Sequence, residues 1–167
     1  MRLQAARFRD GLRLGLCEVR DVVQWADHQL ARLENPPYEL IEVSFLGSSI
    51  HEAVSKLREF SESISVAETL PVLLSVANKR LQVETEFGPQ LAEALYQIYI
   101  QNRSILLESF SMCGYFDDAY SLASSGTFGT EGDVHRELLE FTAEFEFPSN
   151  NIFNPTAFSA DATKSAS

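Results

Sequence analysis

The feature that most restricts the fold is an apolar spacing of three and four residues, which recurs between prolines and glycines. Six apolar residues after position 18 share this spacing: Val19, Val22, Val23, Ala26, Leu30 and Leu33. Most of the positions between them hold charged or amide residues, such as Arg20, Asp21, Gln24, Asp27 and Arg32. The spacing predicts an amphipathic α-helix with one buried face. This helix should end before Pro36, because a residue that precedes proline is disfavoured in the helical region.

The segment after the proline pair Pro36-Pro37 is compatible with two structures. Proline is accepted in the first turn of a helix, so Asn35 can cap a helix over residues 36–46. The alternating apolar residues of 41–45 instead fit a short strand. We expect the helix and keep a short strand near 41–45 as the alternative.

Further helices are predicted downstream from the same spacing. Their ranges are 50–60, from 66 or 70 to 84, from 91 to 110 with a bend near Asn102, 116–124, and from about 134 to a stop at Pro148. Ser49 and Glu52 match a capping box, in which each side chain satisfies a free backbone N–H at a helix start. Pro71 is expected in a first turn rather than in a helix interior.

Together these elements predict an all-α fold, a single irregular bundle of about six or seven helices over residues 1–148. Residues 149–167 are small, polar and aperiodic, which predicts a flexible C-terminal tail. Phe153 and Phe158 are its apolar exceptions. They can tether the tail to the helical domain or dock on a partner, and we favour tethering.

Size and cysteine content agree with a single cytoplasmic domain. The chain has 167 residues, 45% of them apolar, which is enough for one core without metal or disulfide support. The two cysteines, Cys17 and Cys113, are predicted to be small buried thiols in a reducing compartment. No apolar stretch reaches the roughly 18 residues of a membrane span, and the first ten residues lack the apolar core of a secretory signal.

Charge is distributed unevenly along the chain. The net charge is -11, with +3 over residues 1–20 (five basic, two acidic), -9 over 21–130 (six basic, fifteen acidic) and -5 over 131–167 (two basic, seven acidic). An acidic surface repels nucleic acid, so a nucleic-acid partner is disfavoured. Arg2, Arg9 and Arg13 can share a helix face, where we expect them to be solvated or to pair with the domain's own carboxylates.

Searches for catalytic patterns give negative results. His51-Glu52 begins a zinc-binding H-E-x-x-H, but Ser55 replaces the second histidine. Cys17 and His28 have no flanking signature of a nucleophile and its base. The remaining candidates are a glycine-rich loop and two sets of acids: residues 126–132, Asp117 with Asp118, and Glu137 with Glu140 and Glu144.

The glycine-rich loop carries acids and no lysine, which argues against a phosphate site. We expect a flexible connector in which Thr130 or Asp133 caps the last helix. Adjacent acids point apart on a helix, and acids that share a face are usually solvated. No catalytic, cofactor-binding or metal-binding residue is therefore predicted.

The most distinctive stretch joins Trp25-Ala26-Asp27 to the segment PPYELIEVS at residues 36–44. A tryptophan near a proline pair and Tyr38 predicts aromatic packing that sets the angle between two helices. Over residues 16–60 the sequence resembles small, uncharacterised bacterial all-helical proteins that carry a WAD helix followed by PPYELIE(L/V)S. The resemblance implies a bacterial cytoplasmic origin and no particular activity.

Two classes of function agree with these observations. The first is an acidic protein–protein interaction module, for example an immunity-type inhibitor of a basic cytoplasmic toxin, because complementary charge speeds encounter with such a partner. Its candidate interface residues are Tyr38, Glu39 and Glu42. The alternative is a helical enzyme or a ligand- or metal-binding domain whose site is assembled from distant residues.

Overall fold

The structure is a computed structural model that describes residues 1–145, 147, 152 and 153. Over these residues the regular elements are all helices, and there is no strand. The elements are α1 (Arg2–Arg13), α2 (Val19–Leu30), α3 (Tyr38–Ser44), α4 (Ile50–Phe60), α5 (Val66–Leu81), α6 (Phe87–Gln101), a 3-10 helix (Glu108–Gly114), α7 (Phe116–Ser124) and α8 (Glu131–Ala143). The all-α prediction is confirmed, with α1 as an additional helix.

The strand alternative for residues 41–45 is wrong. Leu40 and Val43 are both fully buried, and a spacing of three residues is helical. A strand would have placed Phe45 on the same face as Val43, but Phe45 is exposed. The helix begins at Tyr38 after an extended Pro37, so Asn35 is not its cap, and no side chain caps this helix start.

The start of α5 differs from the expectation for Pro71. Ser65 and Glu68 form a capping box, with the Ser65 N–H donating to Glu68 Oε1 at 2.9 Å. This cap starts the helix at Val66 and places Pro71 in the helix interior. Residues 69 and 70 are buried against the core. Capping and burial therefore determine where α5 begins, and the proline is accommodated at the cost of one backbone hydrogen bond.

The long helix predicted to reach residue 110 ends at Gln101 rather than bending. Asn102 leaves the helical region, and its side-chain amide donates to the Ile98 carbonyl at 2.8 Å. Asparagine competes for backbone groups in this way and therefore favours helix ends. The chain then turns and continues as the 3-10 helix, which still buries Phe110.

The helices pack around α5. α1 contacts α4 and α5, and α3 joins α2 to α4. On the other side, α5 contacts α6 and α8, while α7 joins α6 to α8. One apolar core runs through both sets of contacts. Trp25 lies in this core against Phe8 and Phe60, with ring centroids 5.4 and 6.4 Å away.

A buried polar network attaches α1 to the connection between α4 and α5. The Asp10 carboxylate is fully buried and accepts two bonds from Arg9, at 2.7 and 2.9 Å, and one from the Thr69 hydroxyl at 2.6 Å. Arg9 also donates to Ser61 Oγ and to the Ile64 carbonyl. Arg9 thus pairs with the domain's own carboxylate, as one of the two alternatives predicted.

The described part of the C-terminal segment lies against α1. Ile152 and Phe153 are buried, the Phe153 ring lies 5.4 Å from Phe8, and the Gln4 amide donates to the Ile152 carbonyl at 2.5 Å. Phe153 therefore contacts the helical domain. Phe158, Pro148 and most of the predicted tail, 149–167, lie outside the described residues.

Candidate functional site

The short helix α3 exposes aromatic side chains on one side and buries aliphatic ones on the other. Leu40 and Val43 face the core, whereas Tyr38 is 69% exposed and Phe45 is 83% exposed. Tyr38, Glu42 and Phe45 are separated by four and three residues, so they share one helix face. We call Tyr38, Glu39, Glu42 and Phe45 the α3 surface. It contains all three interface residues predicted from the sequence.

The two acids of the α3 surface differ in their engagement. Glu39 is exposed, on the first turn of α3. Glu42 is half-buried and accepts a hydrogen bond from Lys56 Nζ of α4 at 3.1 Å. Lys56 also lies 3.7 Å from Glu59, and the bond to Glu42 is the main cause that raises the pKa of Lys56. Glu39 is therefore the freer charge, and Glu42 also stabilises the contact between α3 and α4.

A groove of about 650 Å³ lies beside the α3 surface, between the start of α2 and the loop that joins α3 to α4. Its apolar lining includes Val23, Leu46 and the exposed Ile50, and the ion pair of Glu18 with Arg20, 2.9 Å long, is also part of the lining. Ser48 forms a bend in this loop, and Ser49 is extended and caps α4. Aromatic, aliphatic and acidic groups thus occur together on this side of the molecule.

The prediction that Trp25 packs near the proline pair and Tyr38 is wrong. Trp25 packs on Phe8 and Phe60, whereas Tyr38 points to solvent. The proline pair explains the difference, because it extends the chain between α2 and α3 and α3 then turns Leu40, not Tyr38, into the core. Trp25 is a core residue, and Tyr38 is left available for contact.

A second exposed apolar region was missed from the sequence. It lies between the end of α6 and the start of α7 and comprises Ile100, Ile105, Leu107, Met112 and Tyr115. Ile105 was expected on the buried side of a continuous helix, and the break at Asn102 turns it outward. Glu108 lies within this region, and the Tyr115 hydroxyl donates to Glu137 Oε2 at 3.2 Å. Its exposed apolar side chains are mainly aliphatic, whereas those of the α3 surface are aromatic.

Cys17 and His28 are not brought together. Cys17 precedes α2 and its thiol contacts the Phe8 carbonyl at 3.8 Å, while His28 lies near the far end of α2 and bonds to Arg32. Nine residues of α2 separate Val19 from His28, about 14 Å along the axis. Burial, with smaller contributions from Asp21 and Glu18, raises the pKa of the Cys17 thiol. A thiol with a raised pKa is a poor nucleophile.

His135 belongs to a bridge that sequence analysis did not reveal. Its Nε2 lies 3.1 Å from the Leu81 carbonyl and must donate to it, so in the neutral ring Nδ1 accepts from the Tyr120 hydroxyl at 3.3 Å. Burial, and next Glu131, raise the pKa of Tyr120 to about 12. A Cβ atom at Gly88 would overlap the Tyr120 hydroxyl, so a larger residue there would have to displace this hydroxyl. The hydrogen bonds from Tyr120 through His135 to the Leu81 carbonyl join α7, α8 and α5.

The other chemical candidates occupy ordinary structural positions. Thr130 caps α8 by accepting from the Asp133 N–H at 3.2 Å, and the glycine-rich loop before it is exposed. Gly126 and Gly129 have φ near +70°, as a turn requires. Among the described residues, no group of three or more His, Cys, Asp and Glu side chains is placed to hold a metal ion.

None of the helices in the described part of the chain combines the length and apolar character that a membrane span requires. Comparisons of the chain with protein-family models, with curated proteins and with solved structures each returned no match.

Proposed function

We propose that this protein is an acidic protein-binding domain that recognises a basic protein through its α3 surface and the adjacent groove. The observation that carries the proposal is the exposure of Phe45 and Tyr38 beside Glu39. Large aromatic side chains contribute a disproportionate share of the binding energy in protein interfaces. The exposure of two large aromatic side chains, Tyr38 at the start of α3 and Phe45 directly after its end, leaves apolar surface in contact with water. Binding of a partner that covers this surface is therefore favourable.

Charge supports the choice of a basic partner. The net charge is -11, and Glu39 and Glu42 both belong to the α3 surface. Glu42 is paired with Lys56, and Glu18 in the groove is paired with Arg20, whereas Glu39 forms no ion pair with a described residue and is the acid available to a basic partner. Complementary charge speeds encounter and excludes partners of the same sign. The other exposed apolar region, near Leu107, also has acids nearby, namely Glu108 and the Glu137 that Tyr115 contacts, so charge alone does not separate the two surfaces. The α3 surface is preferred because its aromatic side chains, Phe45 and Tyr38, are 83% and 69% exposed, whereas Tyr115 is 42% exposed.

The specific form of this function that we propose is immunity-type inhibition of a basic toxin in the cytoplasm. A toxin that acts on a negatively charged substrate has a basic substrate-binding groove. An acidic surface with aromatic anchors can cover this groove through the same charge complementarity that attracts the substrate. In this role Phe45 fills an apolar pocket of the toxin, and Glu39 pairs with a basic side chain. The domain then needs no catalytic residue of its own.

Capture experiments with matched variants test the proposal. Tagged wild-type protein, Phe45→Ser and Leu107→Ser are each incubated with lysate of the native host, and bound proteins are identified by mass spectrometry after washes of increasing salt. Phe45 and Leu107 are 83% and 70% exposed, so neither change should affect folding. We expect one basic protein with wild type and Leu107→Ser, and its loss with Phe45→Ser.

Two results of the capture experiment would contradict the proposal. A basic partner that is retained by Phe45→Ser and lost by Leu107→Ser would move the interface to the region between α6 and α7. A partner captured equally by all three proteins would show that neither surface carries the interaction. Inhibition is tested separately, by adding the purified domain to the purified partner and measuring the partner's activity.

A further inference from the structure

A polar groove of about 430 Å³ separates α1 and α4 from α6, away from the α3 surface. It is lined by Arg13 of α1, Arg58 of α4 and a row of α6 residues. The α6 residues are Gln90, Glu93, Ala94, Gln97, Ile98 and Gln101, whose spacing places them along one face of the helix. A volume of this size falls in the range of small-molecule sites.

The two arginines are held in different ways. The Arg13 side chain is 19% exposed, donates to Gln101 Oε1 at 2.6 Å and lies 3.5 Å from the Asp10 carboxylate. Arg58 is exposed and forms no hydrogen bond or ion pair with any described residue. Arg13 is thus a fixed donor, and all the donors of Arg58 face the groove or solvent.

Positive charge is in excess at this place although the chain is acidic. Arg9 pairs with Asp10 through two bonds, and Arg13 forms a longer ion pair with the same carboxylate, so one negative charge is shared by two arginines. Arg58 adds a third positive charge that has no ion pair with a described residue. Burial, together with Arg9 and Arg58, lowers the pKa of Arg13, and Asp10 opposes this change. Arginine remains charged at neutral pH even so. Among the described residues, Glu93 is the one acid that lines the groove, so this lining carries two positive charges and one negative.

We propose that this groove binds a small molecule that carries one carboxylate and a neighbouring hydroxyl or amino group. Guanidinium groups match carboxylate oxygens in charge and geometry. The surplus of one positive charge suits a monoanion better than a phosphate dianion. Gln90, Gln97 and Glu93 supply acceptors, and the glutamines also donors, for the second polar group. This site extends the function beyond protein binding and uses a different surface.

Titration followed by NMR of the ¹⁵N-labelled full chain tests the assignment. The probes are glycolate, which has a carboxylate and a hydroxyl, acetate, which lacks the hydroxyl, and inorganic phosphate. For glycolate we expect saturable shifts at the Nε–Hε groups of Arg13 and Arg58 and along α6, with a Kd of about 1 mM or lower. Acetate should bind several-fold more weakly, because it leaves the α6 acceptors unused.

Arg58→Gln is the decisive variant, because Arg58 has no partner among the described residues whose loss could unfold the protein. It should weaken glycolate binding about tenfold, the effect of losing a charge-assisted pair. Arg32→Gln removes the same charge from an exposed position outside the groove and should leave binding unchanged.

Three results would each overturn the proposal. The first is an absence of saturable shifts with all probes in the wild-type protein. The second is equal glycolate affinity in wild type and Arg58→Gln. The third is tighter binding of phosphate than of glycolate, which would reject the carboxylate assignment.

Discussion

Asp10 and Arg9 form a buried charged pair that links α1 to α5 and to the end of α4. Asp10 is fully buried and accepts bonds from Arg9 and Thr69, which belong to α1 and α5. Arg9 extends the connection to Ser61 at the end of α4. All of these donors and acceptors are paired, so the network adds specificity to the packing of three helices without leaving an isolated charge.

Asp10→Asn should therefore destabilise the fold strongly. The change leaves the buried Arg9 guanidinium without its counter-charge, which typically costs about 3–5 kcal/mol. The free energy of unfolding from urea titration measures the effect. Asp27→Asn, at an exposed position of α2, is the matched control and should change stability by less than about 0.5 kcal/mol. Equal effects of the two changes would contradict the role given to Asp10.

The two thiols allow a prediction about pH. Burial raises the pKa of Cys113 to about 12, and burial with nearby acids raises that of Cys17. Because the thiolate is the reactive form, a raised pKa reduces its fraction at pH 8. We expect native protein to react slowly with a disulfide reagent at pH 8, faster as pH rises towards each pKa, and rapidly once urea unfolds the chain. Rapid native labelling of Cys17 at pH 8 would contradict this picture.

At the scale of elements, local signals predicted helix positions well where capping and periodicity agree. α4 and α7 have the predicted ranges, and the Ser49 cap is present. The errors occur where two local signals compete. Ser65 with Glu68 overrides Pro71 at the start of α5, and the Asn102 side chain ends α6 although the apolar spacing continues. Which signal prevails depends on packing, and a single sequence does not contain that information.

Some residues of the candidate site could be predicted from the sequence, and others could not. Tyr38, Glu39 and Glu42 could be selected from sequence because acids and an aromatic residue follow a proline pair. Phe45 could not, because a large apolar side chain in either predicted structure is normally buried, whereas in the structure it directly follows the last turn of α3 and is exposed. The arginine groove was also out of reach, since Arg13, Arg58 and Gln101 are distant in sequence.

The capping box of α5 provides a test at this scale. Ser65→Ala removes the acceptor for a free backbone N–H at the helix start and should cost about 1 kcal/mol. Ser55→Ala lies in the exposed middle of α4, where alanine is the better helix former, and should be neutral or slightly stabilising. Thermal unfolding of both variants measures the difference. A Ser65→Ala protein as stable as wild type would show that the box is dispensable.

At the scale of the whole molecule, the chain's C-terminal segment returns to its first helix. Phe153 packs on Phe8 and closes over Gly11, where a Cβ atom would lie 2.6 Å from the Phe153 ring. The Gln4 bond to the Ile152 carbonyl holds the same contact. This end of the chain is thereby coupled to α1, the helix that carries Arg9, Asp10 and Arg13.

Phe153→Ser should weaken that coupling. The buried ring contributes about 1.5–3 kcal/mol through removal of apolar surface from water. Phe128→Ser is the matched control, since Phe128 is 76% exposed in the glycine-rich loop. Urea unfolding should show a loss for Phe153→Ser and almost none for Phe128→Ser. Equal stability of the two variants would mean that the terminal contact does not contribute to the native fold.

The central claim is that the α3 surface binds a basic protein. The most direct measurement is the Kd of the purified captured partner for wild type, Phe45→Ser and Leu107→Ser, each at low and high salt. We predict that Phe45→Ser weakens binding by about 2 kcal/mol, roughly thirtyfold, that Leu107→Ser has no effect, and that wild-type affinity falls as salt rises. Unchanged affinity of Phe45→Ser, or affinity independent of salt, would contradict the claim.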